Sequence, residues 1–324
     1  MARANALYYA THDPFADFTT SPEISQVFGE LLGAWAAVVW DGMGRPDPVL
    51  LVECGPGRGT LMADALRAAR QLPPFAAALR VHLVETSPRL RALQEEAVPG
   101  AVFHDTLDAV PPGPVLVLAN EFLDALPVRQ LVRRADGWRE RFVAGRSFAE
   151  HPCPSPPNGG AVPVDAVLEL HGAAEAVVGA LAARIVAEGG AALFIDYGPG
   201  QSGPGDSLQA LRSGKPADPL ADPGEADLTA HVDFAALAAV ARAAGAAVHG
   251  PVPQGKLLAR LGLFQRTDRL AREAGPRGAA ALVDAAQRLA EPARMGRLFK
   301  ALAVCHPGLP VPPGFETDGL EAGA

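Results

Sequence analysis

Short, largely apolar runs alternate with longer stretches of helical composition along most of the chain. Residues 49–52, 80–84, 101–104, 114–119 and 191–195 read as strands. The run at 114–119 is apolar on both faces, as a central parallel strand covered from both sides requires. Helical composition fills 61–70 and 88–96, with Pro88 in a first turn, where a missing N–H costs nothing. This alternation predicts an α/β fold with a mostly parallel sheet and helices on both faces.

The rhythm breaks twice. Residues 129–134 and 138–143 pattern as a hairpin across Ala135-Asp136-Gly137. A Pro/Gly loop at 152–160 and a helix at 173–187 follow. This insertion is able to cover one edge of a site at the end of the sheet. Beyond Gly198 a Gly/Pro/Asp-rich stretch reaches Thr229, and Asp233 then stands as N-cap to a helix at 234–244 that ends at Gly245. Residues 257–304 read as mostly helical. The expected division is an N-terminal lid (1–48), an α/β core (49–128 with 189–200), an insertion (129–188) and a C-terminal substrate-side lobe (201–324), flexible after about 306.

Composition narrows the classes. The chain has 324 residues, 49% of them hydrophobic, enough for a sizeable core in one continuous unit. A net charge of −8 argues against a basic nucleic-acid footprint. No apolar run is long enough to cross a bilayer, and residues 1–15 lack the apolar stretch of a signal peptide. Cys54, Cys153 and Cys305 are too scattered for zinc or a disulfide framework, and the eight histidines show no ligand spacing. No metal is expected, and a reduced, cytoplasmic compartment fits.

The sharpest chemical signal follows the first strand: Glu53-Cys54-Gly55-Pro56-Gly57-Arg58-Gly59-Thr60. Gly55, Gly57 and Gly59 let backbone approach a ligand closely, and the helix beyond presents its positive end. A dinucleotide fingerprint would want glycine at position 60, where Thr60 stands. An acidic residue before the loop suits a cofactor with a cationic amino-acid tail, S-adenosylmethionine, and Glu53 can hold that charge directly or through water. Glu85 ends the second strand, where a carboxylate can accept both ribose hydroxyls; a solvated strand-end charge is the plainer reading. Ser87 adds a cofactor contact or caps the next helix. Asp105, after the third strand, is a candidate on the adenine side.

Asn120-Glu121-Phe122-Leu123-Asp124-Ala125-Leu126-Pro127 follows the fourth strand. Methyl transfer is an in-line displacement, so the enzyme mainly orients and desolvates the acceptor. Were the acceptor a guanidinium, a carboxylate pair would fix its planar fork. Glu121 and Asp124, with Asn120 beside them, are the candidates; the alternatives are a helix cap for Asp124 and a loop anchor for Glu121. Thr20-Ser21-Pro22-Glu23 reads as a capped helix entry that also closes over the cofactor, with Ser21 as cap. Asp196-Tyr197-Gly198 lines the acceptor pocket or simply ends the sheet, and His231 reads as a hydrogen-bonded loop histidine.

These segments, together with Tyr8-Tyr9-Ala10-Thr11, Asp17-Phe18-Thr19-Thr20-Ser21-Pro22-Glu23-Ile24, Trp138-Arg139-Glu140-Arg141, Asp227-Leu228-Thr229-Ala230-His231 and Met295-Gly296-Arg297-Leu298-Phe299-Lys300, resemble the MidA family. That family includes the mitochondrial complex I assembly-factor methyltransferase. The resemblance implies a class I (Rossmann-like) methyltransferase fold with S-adenosyl-L-methionine as donor and S-adenosyl-L-homocysteine as product. It further implies a protein arginine acceptor, by analogy on an NADH dehydrogenase (complex I) subunit of a bacterium. It departs at the N-terminus: a helical segment expected before Tyr8 is missing, and Ala16 stands where Gly commonly precedes Asp-Phe. The expected partners are that protein substrate and a second copy of the chain in a homodimer, with neither nucleic acid nor membrane insertion. Two other functions share these motifs: a non-catalytic, cofactor-binding assembly chaperone, and a small-molecule methyltransferase.

Overall fold

A computed structural model describes residues 1–12, 19–153 and 162–317. The N-terminal segment folds as α1 (Ala2–Thr11), the single turn α2 (Ser21–Ile24) and the long apolar α3 (Gln26–Gly42). Strand–helix units follow: β1 (Val49–Cys54), α4 (Thr60–Ala69), α5 (Pro73–Ala78), β2 (Leu79–Val84), α6 (Pro88–Ala97), β3 (Val102–His104) and β4 (Val115–Asn120). The insertion forms β5 (Arg129–Arg134), β6 (Gly137–Ala144), β7 (Ser147–Pro152), β8 (Val167–Leu170) and α7 (Gly172–Glu188). Then come β9 (Gly190–Tyr197), the short β10 (Gln209–Arg212), β11 (Lys215–Ala217) and β12 (Asp227–Thr229), and α8 (Phe234–Ala243). The chain closes with β13 (Ala247–Pro253), α9 (Gln254–Arg260), α10 (Leu263–Glu273), α11 (Pro276–Ala290), α12 (Met295–Leu298) and β14 (Phe299–Cys305).

Seven strands share one sheet in the order β13-β14-β9-β4-β1-β2-β3. β9, β4, β1, β2 and β3 run parallel to one another, while β14 runs antiparallel to both β9 and β13. Every residue of β1 and β4 is buried, as their unbroken apolar runs require. The strand period of two divides the core. Val49 and Leu51 pack with Phe28, Trp35 and Met62 of α3 and α4, whereas Leu50 and Val52 pack with Val178 and Leu181 of α7 and Leu237 of α8.

Most expected elements stand within a residue or two of their bounds. The insertion is more than a hairpin: β5 and β6 pair as read, and β7 and β8 extend them into a four-stranded antiparallel sheet. The stretch 299–304, read as the end of a helical lobe, is a strand buried within the main sheet. A short apolar run gives no periodicity by which to choose, and only its neighbours decide. With β13 and β14, the C-terminal segment therefore completes the core sheet as well as covering it. The tail remains attached beyond 306, because Phe315 is buried in the core and Arg260 donates to the Gly314 carbonyl at 2.9 Å. The cap of the long N-terminal helix is Ser25, whose hydroxyl accepts from Val27 N–H, rather than Ser21. Residues 154–160 of the Pro/Gly loop, Ala16 and Asp17-Phe18 of the N-terminal motif, and the last seven residues lie outside the described residues.

α3 lies directly against α4, the helix that opens from the glycine loop, and glycines set the distance. A Cβ added at Gly33 would sit 2.5 Å from the Ala65 carbonyl oxygen. Glu30 of α3, buried, accepts from Arg67 of α4 and from Arg266 of α10, fixing the pair from the side. Gly33→Ala is therefore expected to lower unfolding free energy by about 1–3 kcal/mol in urea titrations, despite alanine's better helix propensity. An unchanged midpoint would show that α3 can slide without cost.

Candidate active site

The carboxyl ends of β1, β2, β3 and β4 open on a cavity of about 500 Å³, roofed by α1 and α2. Gly55, at the top of β1, has φ +65°, and an added Cβ would come within 3.0 Å of the Phe122 ring. Both conditions demand glycine. Gly57 also has positive φ, and its carbonyl accepts from Gln94 Nε2 at 2.7 Å. Beneath the loop lies Glu53, 3% exposed. One carboxylate oxygen takes the Met62 N–H in the first turn of α4; Oε2 is buried with no hydrogen bond among the described residues. Burial pushes this carboxyl up to about 8, with the Met62 N–H offsetting only part of the desolvation.

Glu85 and Asp105 line the same cavity. Glu85 is anchored: Oε1 accepts from the Thr86 and Ser87 N–H groups at 2.8 Å each, and Oε2 from Gln94 at 3.3 Å. Burial raises its pKa, and those hydrogen bonds oppose the rise. Asp105 is at the exposed mouth, paired with Arg91 at 2.8 Å.

At the top of β4, Asn120 and Glu121 form one unit. Glu121 adopts φ +51°, unusual for a residue with a side chain. Its Oε1 accepts from Asn120 Nδ2 at 3.0 Å and from the Ser21 backbone N–H at 2.9 Å. That leaves the Asn120 carbonyl oxygen buried and without a donor among the described residues. Burial raises the pKa of Glu121, with the Ser21 and Asn120 bonds opposing it.

Three expected site residues stand behind the cavity wall. Gly59 faces α6, where an added Cβ would meet Ala97 at 3.2 Å, so it permits helix packing rather than ligand approach. The Ser87 hydroxyl caps α6 through Leu90 N–H and donates to the Tyr9 carbonyl at 2.8 Å, which makes it a helix cap and tether rather than a cofactor contact. Asp124 turns inward, buried, and bonds to the Tyr197 hydroxyl. Burial first, then Asp196, Asp227 and Glu121, raise its pKa well above the usual range. Asp196 does not line the cavity either. Its Oδ2 accepts from the Leu123 and Asp124 N–H groups, shaping the loop after Glu121. His231 packs edge-on against Tyr197 within the same wall.

Other residues gain roles that spacing did not disclose. Asn5 of α1 donates to the Ala125 and Leu228 carbonyls and accepts from Leu228 N–H. Tyr9 lines the cavity and donates to Asp227 at 2.8 Å. Glu23, also on the wall, accepts from the Thr60 hydroxyl at 2.5 Å. The Tyr8-Tyr9 and Ser21-Pro22-Glu23 motifs were visible in the sequence, but their partners are 37 to more than 200 residues away.

A parallel sheet with one reversed strand near its edge, a glycine loop after β1, an acid at the end of β2 and a polar segment after β4 define a class I S-adenosylmethionine-dependent methyltransferase. Residues 31–252 match the Methyltransf_28 family of S-adenosyl-L-methionine-dependent methyltransferases. The chain belongs to this family, the MidA family anticipated from its motifs. It is 38% identical to the mitochondrial protein arginine methyltransferase NDUFAF7 homolog of Drosophila melanogaster, over 94% of this chain and 79% of that protein. With mouse NDUFAF7 it shares 36% identity over 92% and 77%. A Burkholderia thailandensis structure bound to S-adenosyl-homocysteine superposes with TM-score 0.77 at 30% identity, covering 92% of this chain and 81% of that one.

The residues present fit the cofactor. Glu53, whose Oε2 has no hydrogen bond among the described residues, would face its cationic tail, Glu85 would face its ribose, and the loop at Gly55 has no room for a side chain. Gly55→Val is expected to abolish S-adenosylhomocysteine binding in calorimetry, a loss of about 100-fold or more, because φ and Phe122 both oppose the new side chain; near-normal binding would remove the loop from the site. Glu53 sets a pH dependence. Its folded pKa is raised, so its protonated form favours folding, and stability is lost as pH climbs from the unfolded carboxylate value through about 8. Without cofactor, the melting temperature of wild type should therefore fall relative to Glu53→Gln between pH 5 and pH 8. Parallel curves would place the Glu53 carboxyl in contact with a charge that the fold already supplies.

Proposed function

We propose that the protein is a protein arginine N-methyltransferase, with Glu121 and Asn120 holding the acceptor. The observation that carries this is the paired geometry at the top of β4. One oxygen of Glu121 is tied down by two donors, and the side-chain Oδ1 of Asn120 is buried with no donor among the described residues. Two adjacent acceptor side chains, joined to each other by the Asn120 Nδ2 hydrogen bond, suit a planar group with several N–H donors and a positive charge. A guanidinium meets both conditions. The relatives named as protein arginine methyltransferases support the same acceptor.

S-adenosylmethionine, when bound, supplies an electrophilic methyl group on a sulfonium. The protein's contribution is placement and proton handling. Glu121 orients the guanidinium and is the carboxylate on the wall to receive the proton that the methylated nitrogen gives up. Its raised pKa favours that uptake. The resemblance to the complex I assembly factor supports an NADH dehydrogenase subunit as the substrate; the cytoplasm of a bacterium is the setting proposed for it.

The purified protein and radiolabelled donor, added to extract of a cell lacking the gene, should label a protein band whose acid hydrolysate contains methylarginine. Glu121→Gln should lower turnover by about 10²-fold or more, and Asn120→Ala by about 10- to 100-fold, with S-adenosylhomocysteine affinity nearly unchanged. Asp124→Asn should act mainly on stability. Label confined to small molecules would establish a small-molecule methyltransferase. No label despite tight cofactor binding would establish an assembly chaperone.

A further inference from the structure

We infer that the methyl acceptor reaches Asn120 and Glu121 between α1 and the loop after β4, and that the one-carbon side chain of Ala6 keeps that route open. The route rests on the acceptor role proposed above for those two residues. Donor and acceptor must meet in one cavity, so the walls that the donor does not use are left for the second substrate. Glu53, Gly55, Glu85 and Asp105 stand on the donor side. On the remaining wall, α1 contributes Ala2, Asn5, Ala6 and Tyr9. Their spacing, at three, four and seven residues from Ala2, places all four on one face of the helix. Ala2 and Ala6 are exposed although they line the cavity, so this face forms part of its rim.

The loop after β4 supplies Ala125, Leu126 and Pro127 to the same cavity, and Pro127 is exposed. Asn5 ties the helix to that loop. Its Nδ2 donates to the Ala125 carbonyl at 3.0 Å and to the Leu228 carbonyl at 2.7 Å, which fixes how far α1 stands from the loop. Apart from Asn5 and Tyr9, the two walls are lined by small or apolar side chains. The polar pair at the end of β4 lines the cavity too. Asn120 is only 8% exposed, and its Oδ1 has no partner among the described residues. A buried acceptor of this kind costs free energy until a donor reaches it. Apolar walls leading to a buried acceptor match a side chain with an apolar stem and a donor-bearing head. Arginine lays its methylene stem along apolar surface in this way and carries five N–H donors at its end. A large side chain at position 6 would fill the space that the stem needs.

Purified variants, added with radiolabelled donor to extract of a cell lacking the gene, test the route. Ala6→Phe should lower the initial rate of labelling by about 10- to 100-fold, because the ring overfills the gap. Its S-adenosylhomocysteine affinity in calorimetry should stay within about twofold of wild type. Ala10 is an exposed residue of α1 that does not line the cavity. Ala10→Phe should therefore label at the wild-type rate, and melting temperatures without ligand establish that both variants fold. Wild-type labelling by Ala6→Phe would overturn the inference. So would an equal loss in Ala10→Phe, which would assign the effect to the helix as a whole. A matching loss of S-adenosylhomocysteine affinity in Ala6→Phe would place that residue over the donor and overturn it as well. Label found only in small molecules, and lost in Ala6→Phe, would support the route while overturning the arginine assignment. Absence of label with wild type would strike the proposed function itself, and the route with it.

Discussion

A carboxylate taken out of water without a cation costs several kcal/mol, and this sheet lines up buried acids along its carboxyl edge. Glu53, Glu85, Asp124 and Asp196 are each less than a tenth exposed. Backbone N–H groups are the main compensation: Met62 for Glu53, Thr86 and Ser87 for Glu85, Leu123 and Asp124 for Asp196. The arrangement dictates local structure as much as chemistry. α4 starts where its N–H groups can meet Glu53, and the loop after Glu121 bends to surround Asp196. Backbone donors leave Glu53 Oε2 and Asn120 Oδ1, buried atoms of two residues that line the cavity, uncompensated among the described residues.

The N-terminal segment joins the two halves of that space. Asn5 and Tyr9 fasten α1 to the loop after β4 and to β12, while Ser87 fastens α1 to α6 on the cofactor side. α2 repeats the pattern at shorter range, with Ser21 on Glu121 and Glu23 on Thr60. A small shift of this segment therefore moves the roof over both the donor and the acceptor. Side-chain hydrogen bonds that tether α1 to the rest of the fold come from residues more than 70 positions away, so the roof is held in place by the assembled sheet and its loops.

The acceptor end is built by division of labour rather than by a pair of equivalent acids. Glu121 faces the cavity at a positive φ that only surrounding contacts can enforce. Asp124, three residues on, belongs to an interior network with Tyr197, Asp196 and Asp227. Desolvation and the neighbouring carboxylates raise the Asp124 pKa, and Asp196 accepts from the Leu123 and Asp124 N–H groups in the segment that follows Glu121.

The sequence by itself determined the class of fold, the glycine loop and the family. Those features are local: a buried parallel strand must be apolar on both faces, and a close backbone approach must be glycine, so each leaves its mark in consecutive residues. It also placed Glu53, Glu85, Asn120 and Glu121 at strand ends, where an α/β sheet presents its ligand-binding groups. Tertiary structure alone decided which way the side chains there turn. Asp124 and Glu121 are equally acidic and three residues apart, yet one is drawn inward by Tyr197 and the other is held at the wall by Ser21. Phe299 to Cys305 became a strand because β9 and β13 offered it partners on both sides. Glu23 and Arg58 meet because α2 folds back across the start of α4. In each case the deciding contact comes from a segment distant in sequence, and such a contact leaves no periodicity to read.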